Sequence, residues 1–304
     1  MAKRKKGRSI DGIVILDKAI GISSNRALQE VKRIFDAQKA GHTGSLDPLA
    51  TGVLPLCLGE ATKVSQFLLD SDKKYRAKLK LGIRTDSGDS EGKVLESCSD
   101  FQVSEQQIEE ALTFFKGEIE QVPPMYSALK VNGVPLYKMA RKGQTIEREA
   151  RRITVYKIEL TAFAVDELEL EIACSKGTYI RTIADDLGQA LGCGAHISAL
   201  RRIQAGVFTE TDCITTEKLK EECEANGLSA IDEHLIPMDK AIEDLPEVVL
   251  PSITAGFIKN GQPVLVRHLP KEGLVRLYEE ERFIGIGCID DDGKVAPRRL
   301  IVAH

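Results

Sequence analysis

A chain of 304 residues, 42% hydrophobic and 29% charged, has enough apolar material for a large core and a second, smaller one, and is too apolar to remain disordered. Its apolar runs, such as residues 53–58 and 284–289, fall far short of the ~18 residues of a membrane span, no signal-peptide core follows the basic N-terminus, and seven cysteines without a C-x-x-C pair argue against a disulfide framework, so a cytoplasmic protein with reduced thiols is expected. The formal net charge of -4 disfavours a polyanionic partner only on average, because residues 209–248 hold twelve acids against three lysines while residues 136–157 hold seven cations against two glutamates.

After a basic tail, residues 1–8, expected to be disordered, residues 11–16 alternate weakly and predict a strand. A helix is predicted from Ser23 or Ser24, each a potential N-cap, with Ala27, Leu28, Val31, Ile34 and Phe35 at helical spacing. Residues 53–58 and 75–81 read as strands. A second helix, residues 105–115, has a capping box in Ser104 and Gln107 and stops at Gly117. Strands follow at 128–131, 153–164 and 168–174. Gathered in runs rather than alternating with helices, they favour an α+β fold on a mixed, mainly antiparallel sheet flanked by helices. From residue 248 the texture changes to short strands, 264–266, 274–278, 283–289 and 295–302, punctuated by Asn260-Gly261 and Asp292-Gly293. With Pro246 and Pro251 at the acidic junction, this predicts a small all-β module at 248–304 behind a domain spanning 1–247.

The most informative string is Gly-His-Thr-Gly-Ser-Leu-Asp-Pro-Leu-Ala-Thr-Gly-Val-Leu-Pro, residues 41–55. It places one carboxylate, Asp47, in a turn-prone loop that leads into an apolar strand. An aspartate before proline is commonly a plain turn residue, yet a lone acid at such a junction can also be a nucleophile or a base. Gly41, Gly44 and Gly52 permit close backbone approach, Pro48 and Pro55 stiffen the chain, and His42 adds a flat polar ring.

This string resembles the catalytic loop of the bacterial tRNA pseudouridine-55 synthases, the TruB family. Four further segments match that pattern in order. They are Asp17-Lys18 with Gly21 and Ser23-Ser24; Lys74-Tyr75; residues 121–141 with Pro123-Pro124-Met125-Tyr126-Ser127-Ala128; and Ser175-Lys176-Gly177-Thr178-Tyr179-Ile180-Arg181-Thr182. The chain departs from the family in carrying Ala19 where proline is usual and Ser23 where threonine is usual, and Ala19 should loosen the turn beside Lys18. Residues 248–302 resemble a PUA domain, an RNA-binding β-barrel.

The resemblance implies an isomerase that breaks the uridine N1–C1′ bond, turns the uracil and bonds C5 to C1′. Asp47 would be the catalytic carboxylate, attacking uracil C6 or ribose C1′ or removing the C2′ proton. Arg181 would keep it ionised, since a nearby cation lowers a carboxylate pKa by ~1 to 3 units. Tyr75 would stack on the uracil and help remove the C5 proton, Tyr179 would pack on the base edge, Leu200 would form an apolar wall, and Lys18 would brace the site among the substrate-binding residues. The target base must be flipped out of its stack, and His42 would fill the gap. Outside this context Tyr75, Tyr179 and Leu200 read as core residues and Arg181 as a helix-surface cation.

The implied substrate is uridine 55 in the tRNA T stem-loop, with a basic insertion at about 124–152 closing over it. No cofactor and no metal are expected, since Cys193 and His196 make only half a zinc pattern and no G-x-x-x-x-G-K-[ST] is present. A monomer needing no protein partner and no membrane is expected. Two rivals share features of this pattern: an RNA-folding helper without chemistry, which leaves Asp47, Tyr75 and Arg181 unexplained, and a guide-RNA-dependent synthase, against which the basic insertion speaks.

Overall fold

The computed structural model describes residues 7–302. The disorder expected of the tail therefore concerns residues outside the described ones, apart from its end, where Arg8 pairs with Asp232 at 2.5 Å. The first half of the chain forms β1 (Gly12–Lys18), α1 (Ser24–Ile34), β2 (Ala40–His42), β3 (Thr51–Leu58), α2 (Ser65–Asp70), β4 (Lys73–Leu81), β5 (Ile83–Thr85), β6 (Val94–Ser97), α3 (Glu105–Leu112) and β7 (Gly117–Gln121). There follow β8 (Lys130–Val131), β9 (Val134–Pro135), α4 (Leu136–Ala140), β10 (Arg151–Ala164), β11 (Glu167–Cys174), α5 (Ile180–Ala190), β12 (Ala195–Ala205), β13 (Phe208–Thr209), α6 (Thr216–Asn226) and α7 (Leu228–Asp232). The chain closes with β14 (Glu247–Leu250), α8 (Ser252–Lys259), β15 (Gly273–Glu279), β16 (Arg282–Ile289) and β17 (Val295–Leu300).

Nine strands make one mixed sheet in the order β1-β3-β12-β4-β11-β10-β7, with β2 beside β3 and β13 beside β12. Every pairing in it is antiparallel except β12 with β3, where Arg201 faces Thr51 and Arg202 faces Gly52. The expected α+β architecture is present. β1 and β3 read as continuous apolar runs because they are covered on both faces: Ile13, Ile15, Val53 and Cys57 enter one core, while Val14, Leu16, Leu54, Leu56 and Leu58 enter the other. Helices α1, α3 and α5 cover the larger core with Ala27, Leu28 and Val31, with Ile108 and Leu112, and with Ile180, Ile183 and Leu187. Leu68 of α2 belongs to the smaller one.

The C-terminal module is a four-stranded sheet, β14-β15-β16-β17, with its own core of Leu250, Ile258, Val275, Leu277 and Val295. Asn260-Gly261 ends helix α8 rather than turning a hairpin, whereas Asp292-Gly293 does turn β16 into β17, with the Lys294 N–H donating to Asp290. The strands expected at 264–266 and 128–131 shrink, the first to a single bridge between Val264 and Val295 and the second to the two residues of β8. Among the described residues no helix is long and apolar enough to cross a membrane.

Candidate active site

β2 folds back along β3, pairing His42 with Leu56, so residues 43–50 form a loop over the parallel β3/β12 seam. The loop is tied at several points. Ser23 caps α1 by accepting the Arg26 N–H, which frees Ser24 to clamp the loop: Leu46 N–H donates to Ser24 Oγ at 2.7 Å and Ser24 Oγ donates to the Leu46 carbonyl at 3.1 Å. The Thr43 and Gly21 N–H groups donate to the carbonyls of Pro55 and Pro48. Lys18 is fully buried beneath this loop and donates to the carbonyls of Ala19 at 2.9 Å, Ile22 at 2.7 Å and Pro48 at 3.4 Å. Burial lowers its pKa to about 8, while Asp47 pulls it upward. Lys18 thus braces the turn that lacks the usual proline; with its donors turned to the backbone, it is absent from the pocket wall, contrary to its expected place among the substrate contacts.

Arg181 lies in the first turn of α5 on the face of Ala184 and Gly188, three and seven residues on, and that face is packed inward. The side chain is therefore buried, not a surface cation. Its Nε meets Asp47 Oδ2 at 2.9 Å, Nη1 donates to the Ser87 carbonyl at 2.8 Å, and Nη2 donates to the Tyr126 carbonyl at 2.7 Å. A second carboxylate, buried Asp89, stands 3.6 Å from Nη1 and is itself held by Ser87 Oγ and the Glu91 N–H. Gly88 has φ +73, and a side chain there would press on Arg181 Cβ at 3.2 Å.

The Asp47 side chain is still 41% exposed, toward a cavity. Burial raises its pKa above the ordinary carboxylate value; Arg181 opposes this and Asp89 reinforces it. Arg181 thus acts in the expected sense, lowering the pKa, but the cost of burying the carboxylate outweighs it.

The cavity, about 310 Å³, is lined by Asp47, Tyr75, Tyr179, Arg181, Leu200 and Arg202 among others, a size suited to a small-molecule site. Five of the seven expected site residues are not neighbours in sequence beyond Tyr179 and Arg181, yet all five share this wall. Tyr75 on β4 faces Arg202 on β12, and burial raises its pKa, so at neutral pH it is a neutral phenol. Leu200 faces Ala77 across the same ladder. Tyr179, the residue preceding α5, is gripped by buried Gln121 of β7: its N–H donates to Oε1 at 2.8 Å and its carbonyl accepts from Nε2 at 3.0 Å. His42 stands outside the cavity wall, half-buried, its Nδ1 enclosed without a partner. Burial, then Arg202, lowers its pKa and keeps the ring neutral.

Four residues of this assembly are not among the expected site residues: Arg202, Asp89, Lys73 and Gln121, the last of which opens the matched segment 121–141. Arg202 is almost wholly buried, donating from Nε to the Val53 carbonyl at 2.7 Å and from Nη2 to Gly44 at 3.2 Å. Its own carbonyl would lie 2.3 Å from any Cβ at position 52, so only glycine fits this crossing. Lys73 lines the cavity and donates to the Leu68 and Leu69 carbonyls. Beside the cavity, Ser127 and Ala128 form the root of the basic insertion, whose Lys138, Arg141, Lys142, Arg151 and Arg152 are exposed.

This geometry can be set beside known proteins. Residues 32–180 match the TruB family pseudouridylate synthase N-terminal domain, residues 181–243 the tRNA pseudouridylate synthase B C-terminal domain, and residues 246–301 the C-terminal domain of pseudouridine synthase II TruB. The chain is 55% identical to tRNA pseudouridine synthase B of Tolumonas auensis, over 98% of this chain and 94% of that protein. It is 54% identical to the protein of the same name from Vibrio atlanticus, over 99% and 98%. Among solved structures, an H/ACA RNP bound to a substrate RNA containing 2′-deoxyuridine is similar with a TM-score of 0.75 at 25% identity, covering 100% of this chain and 92% of that one. A Cbf5-Nop10-Gar1 complex follows at 0.73 and 28% identity, covering 96% and 84%. The chain belongs to the TruB family of pseudouridylate synthases.

Proposed function

We propose that the chain, a tRNA pseudouridine synthase, isomerises uridine 55 of the T-loop, with Asp47 as the catalytic carboxylate. The observation that carries this reading is the 2.9 Å contact between Asp47 and Arg181 on the wall of a cavity that also presents Tyr75, Tyr179 and Leu200. A flipped uracil in that cavity has an aromatic ring and an aliphatic wall to pack on and a carboxylate within reach of C6, C1′ or the C2′ proton. Whichever atom Asp47 engages, the N1–C1′ bond breaks, the uracil turns, the C5–C1′ bond forms, and the C5 proton leaves while N1 gains one. Tyr75 stacks on the base and assists at C5. His42, neutral and outside the cavity, fills the gap in the RNA stack.

In this reading residues 1–247 are the catalytic domain, the insertion at about 124–152 clamps the stem-loop, and residues 248–304 are a PUA-like module that meets the RNA farther away. The purified chain, incubated with unmodified tRNA, should produce pseudouridine at position 55, mapped by chemical labelling. A product that forms only when a guide RNA is added would favour the guide-dependent rival. The 55% identity to a tRNA pseudouridine synthase B, against 25% to the H/ACA RNP chain, supports action on bare tRNA.

A further inference from the structure

Arg181, Arg201 and Arg202 are all buried or half-buried, yet only two of them have carboxylate partners. Arg181 meets Asp47 at 2.9 Å and Asp89 at 3.6 Å, and Arg201 meets Asp17 at 2.9 Å and Glu210. Arg202 is the most enclosed, 1% exposed, and pairs with no carboxylate among the described residues; its Nε and Nη2 donate to the backbone carbonyls of Val53 and Gly44. An ionised group taken out of water without a counterion is costly. Kept on a cavity wall, such a cation suits a negative charge that arises there only during the reaction.

The register of the sheet shows where that charge can form. Arg202 of β12 lies directly opposite Tyr75 of β4, and paired residues of an antiparallel ladder project on the same side, here toward the cavity that both line. The ladder slips immediately after this pair, between Arg202 and Gln204, an irregularity of the kind that re-aims side chains beside active sites. Burial is the main influence on the Tyr75 phenol and raises its pKa; Arg202 opposes it, first through its charge and also as a hydrogen-bond partner of the side chain. After burial, the same charge is the next influence lowering the pKa of His42 and of Lys73, neither of which can neutralise it.

We propose that Arg202 is a positioning residue for Tyr75, holding its hydroxyl at one point of the cavity and stabilising the phenolate that forms while Tyr75 carries a proton from C5 to N1 of the uracil. This deepens the role given to Tyr75 above and rests on it. Breaking the N1–C1′ bond leaves its electron pair on the uracil, and the Tyr75 hydroxyl gives its proton to N1, becoming a phenolate beside Arg202. Once the uracil has turned, C5 occupies the place N1 held and bonds to C1′. The C5–H bond then breaks, its electron pair returns to the ring, and the phenolate takes the proton to become a phenol again. N1 has gained one proton, C5 has lost one, and no other acid or base is consumed.

Single-turnover kinetics of the full chain on tRNA with hydrogen or deuterium at C5 of its uridines test it, in a cycle of Arg202→Gln, Tyr75→Phe and the double variant. Each single variant should lower the rate about 10²-fold, the weight of general acid–base help, with tRNA affinity little changed. Each should also reveal a deuterium isotope effect, as C5–H cleavage becomes limiting. In the Tyr75→Phe chain, adding Arg202→Gln should cost less than about twofold more. Equal losses in both backgrounds, which a plain tie to Gly44 and Val53 would give, overturn the proposal, and so does an Arg202→Gln chain without an isotope effect. Should Arg202→Gln not fold, Arg202→Lys, which keeps the charge and the buried stem but not the planar fork, takes its place in the same cycle with the same deciding outcomes. A Tyr75→Phe chain as fast as the unaltered one would instead refute the role of Tyr75 itself, and that of Arg202 with it.

Discussion

The loop around Asp47 is tied to α1 through Ser24, to β1 through Lys18 and to β3 through Thr43, whereas residues 129–150, the bulk of the insertion at about 124–152, bury one side chain, Leu136, and bond largely among themselves. The first holds a single carboxylate where it meets one guanidinium; the second spreads cations over an exposed hairpin and a five-residue helix. Chemistry at one atom requires preorganisation to a fraction of an ångström, while gripping a phosphate chain requires charge and adaptability. The two regions meet at Tyr126, whose carbonyl accepts from Arg181 while its hydroxyl reaches Asp86 at 3.4 Å.

Removing the proposed catalytic carboxylate should break the comparison most severely. Asp47→Asn keeps the shape of the loop and deletes the charge, so turnover should fall on the order of 10⁴-fold or more, as when a nucleophile is lost, with tRNA affinity little altered. Quench-flow product assays and filter binding on one preparation check both halves; surviving activity would remove Asp47 from the mechanism. Arg181→Lys should follow, at about 10²- to 10³-fold in kcat, because an ammonium cannot serve Asp47, Ser87 and Tyr126 with one planar fork. The same variant has a pH signature. In the proposed mechanism Asp47 acts as the anion, and burial raises its pKa, so activity should be full above the raised value and be lost as pH falls through it. The acid limb should thus lie above the ~3.9 of a free aspartate, and weakening the arginine's opposition should move it higher still.

These expectations are strong where the sequence names a reacting residue and weak where packing decides. Asp47, Tyr75, Tyr179 and Arg181 stand in strings whose order is distinctive, and the fold brings them to one wall. The burial of Arg181 was not legible, since nothing local says which face of α5 turns inward. Strand β12 was missed because His196, Arg201 and Arg202 interrupt its apolar pattern; in the fold Arg202 is buried by bonding to the backbone, and Arg201 pairs with Asp17 and Glu210. Gln121 and Asp89 act through partners 58 and 92 positions away in the chain, a relation that only the sheet and α5 create.

A subtler variant sharpens what rigidity is worth. Ser24→Ala removes both bonds between α1 and Leu46 while leaving every cavity residue in place. Losing this buried donor and acceptor should lower stability by about 1–3 kcal/mol. If the loop's position matters to the chemistry as argued, kcat should fall about tenfold, since small misplacements are costly, with KM nearly constant. Thermal unfolding and steady-state kinetics together separate the two effects, and a stability loss without a kcat change would mean that Lys18 and Thr43 suffice to hold Asp47.

The insertion should behave in the opposite way. With ~5 of its cations meeting phosphates, log affinity for tRNA should fall with log salt at a slope on the order of -3 to -4, at ~0.7 per contact. Replacing Arg148, Arg151 and Arg152 with glutamine should flatten that slope by about 2, three contacts at ~0.7 each, and leave kcat at saturating tRNA unchanged. Arg151 and Arg152 lie exposed at the start of β10, so their loss should not disturb the sheet. The charge is thereby tested apart from the chemistry: an unchanged slope would remove the clamp, and a fall in kcat at saturation would show that the insertion also holds the catalytic wall, through the Tyr126 carbonyl that Arg181 binds.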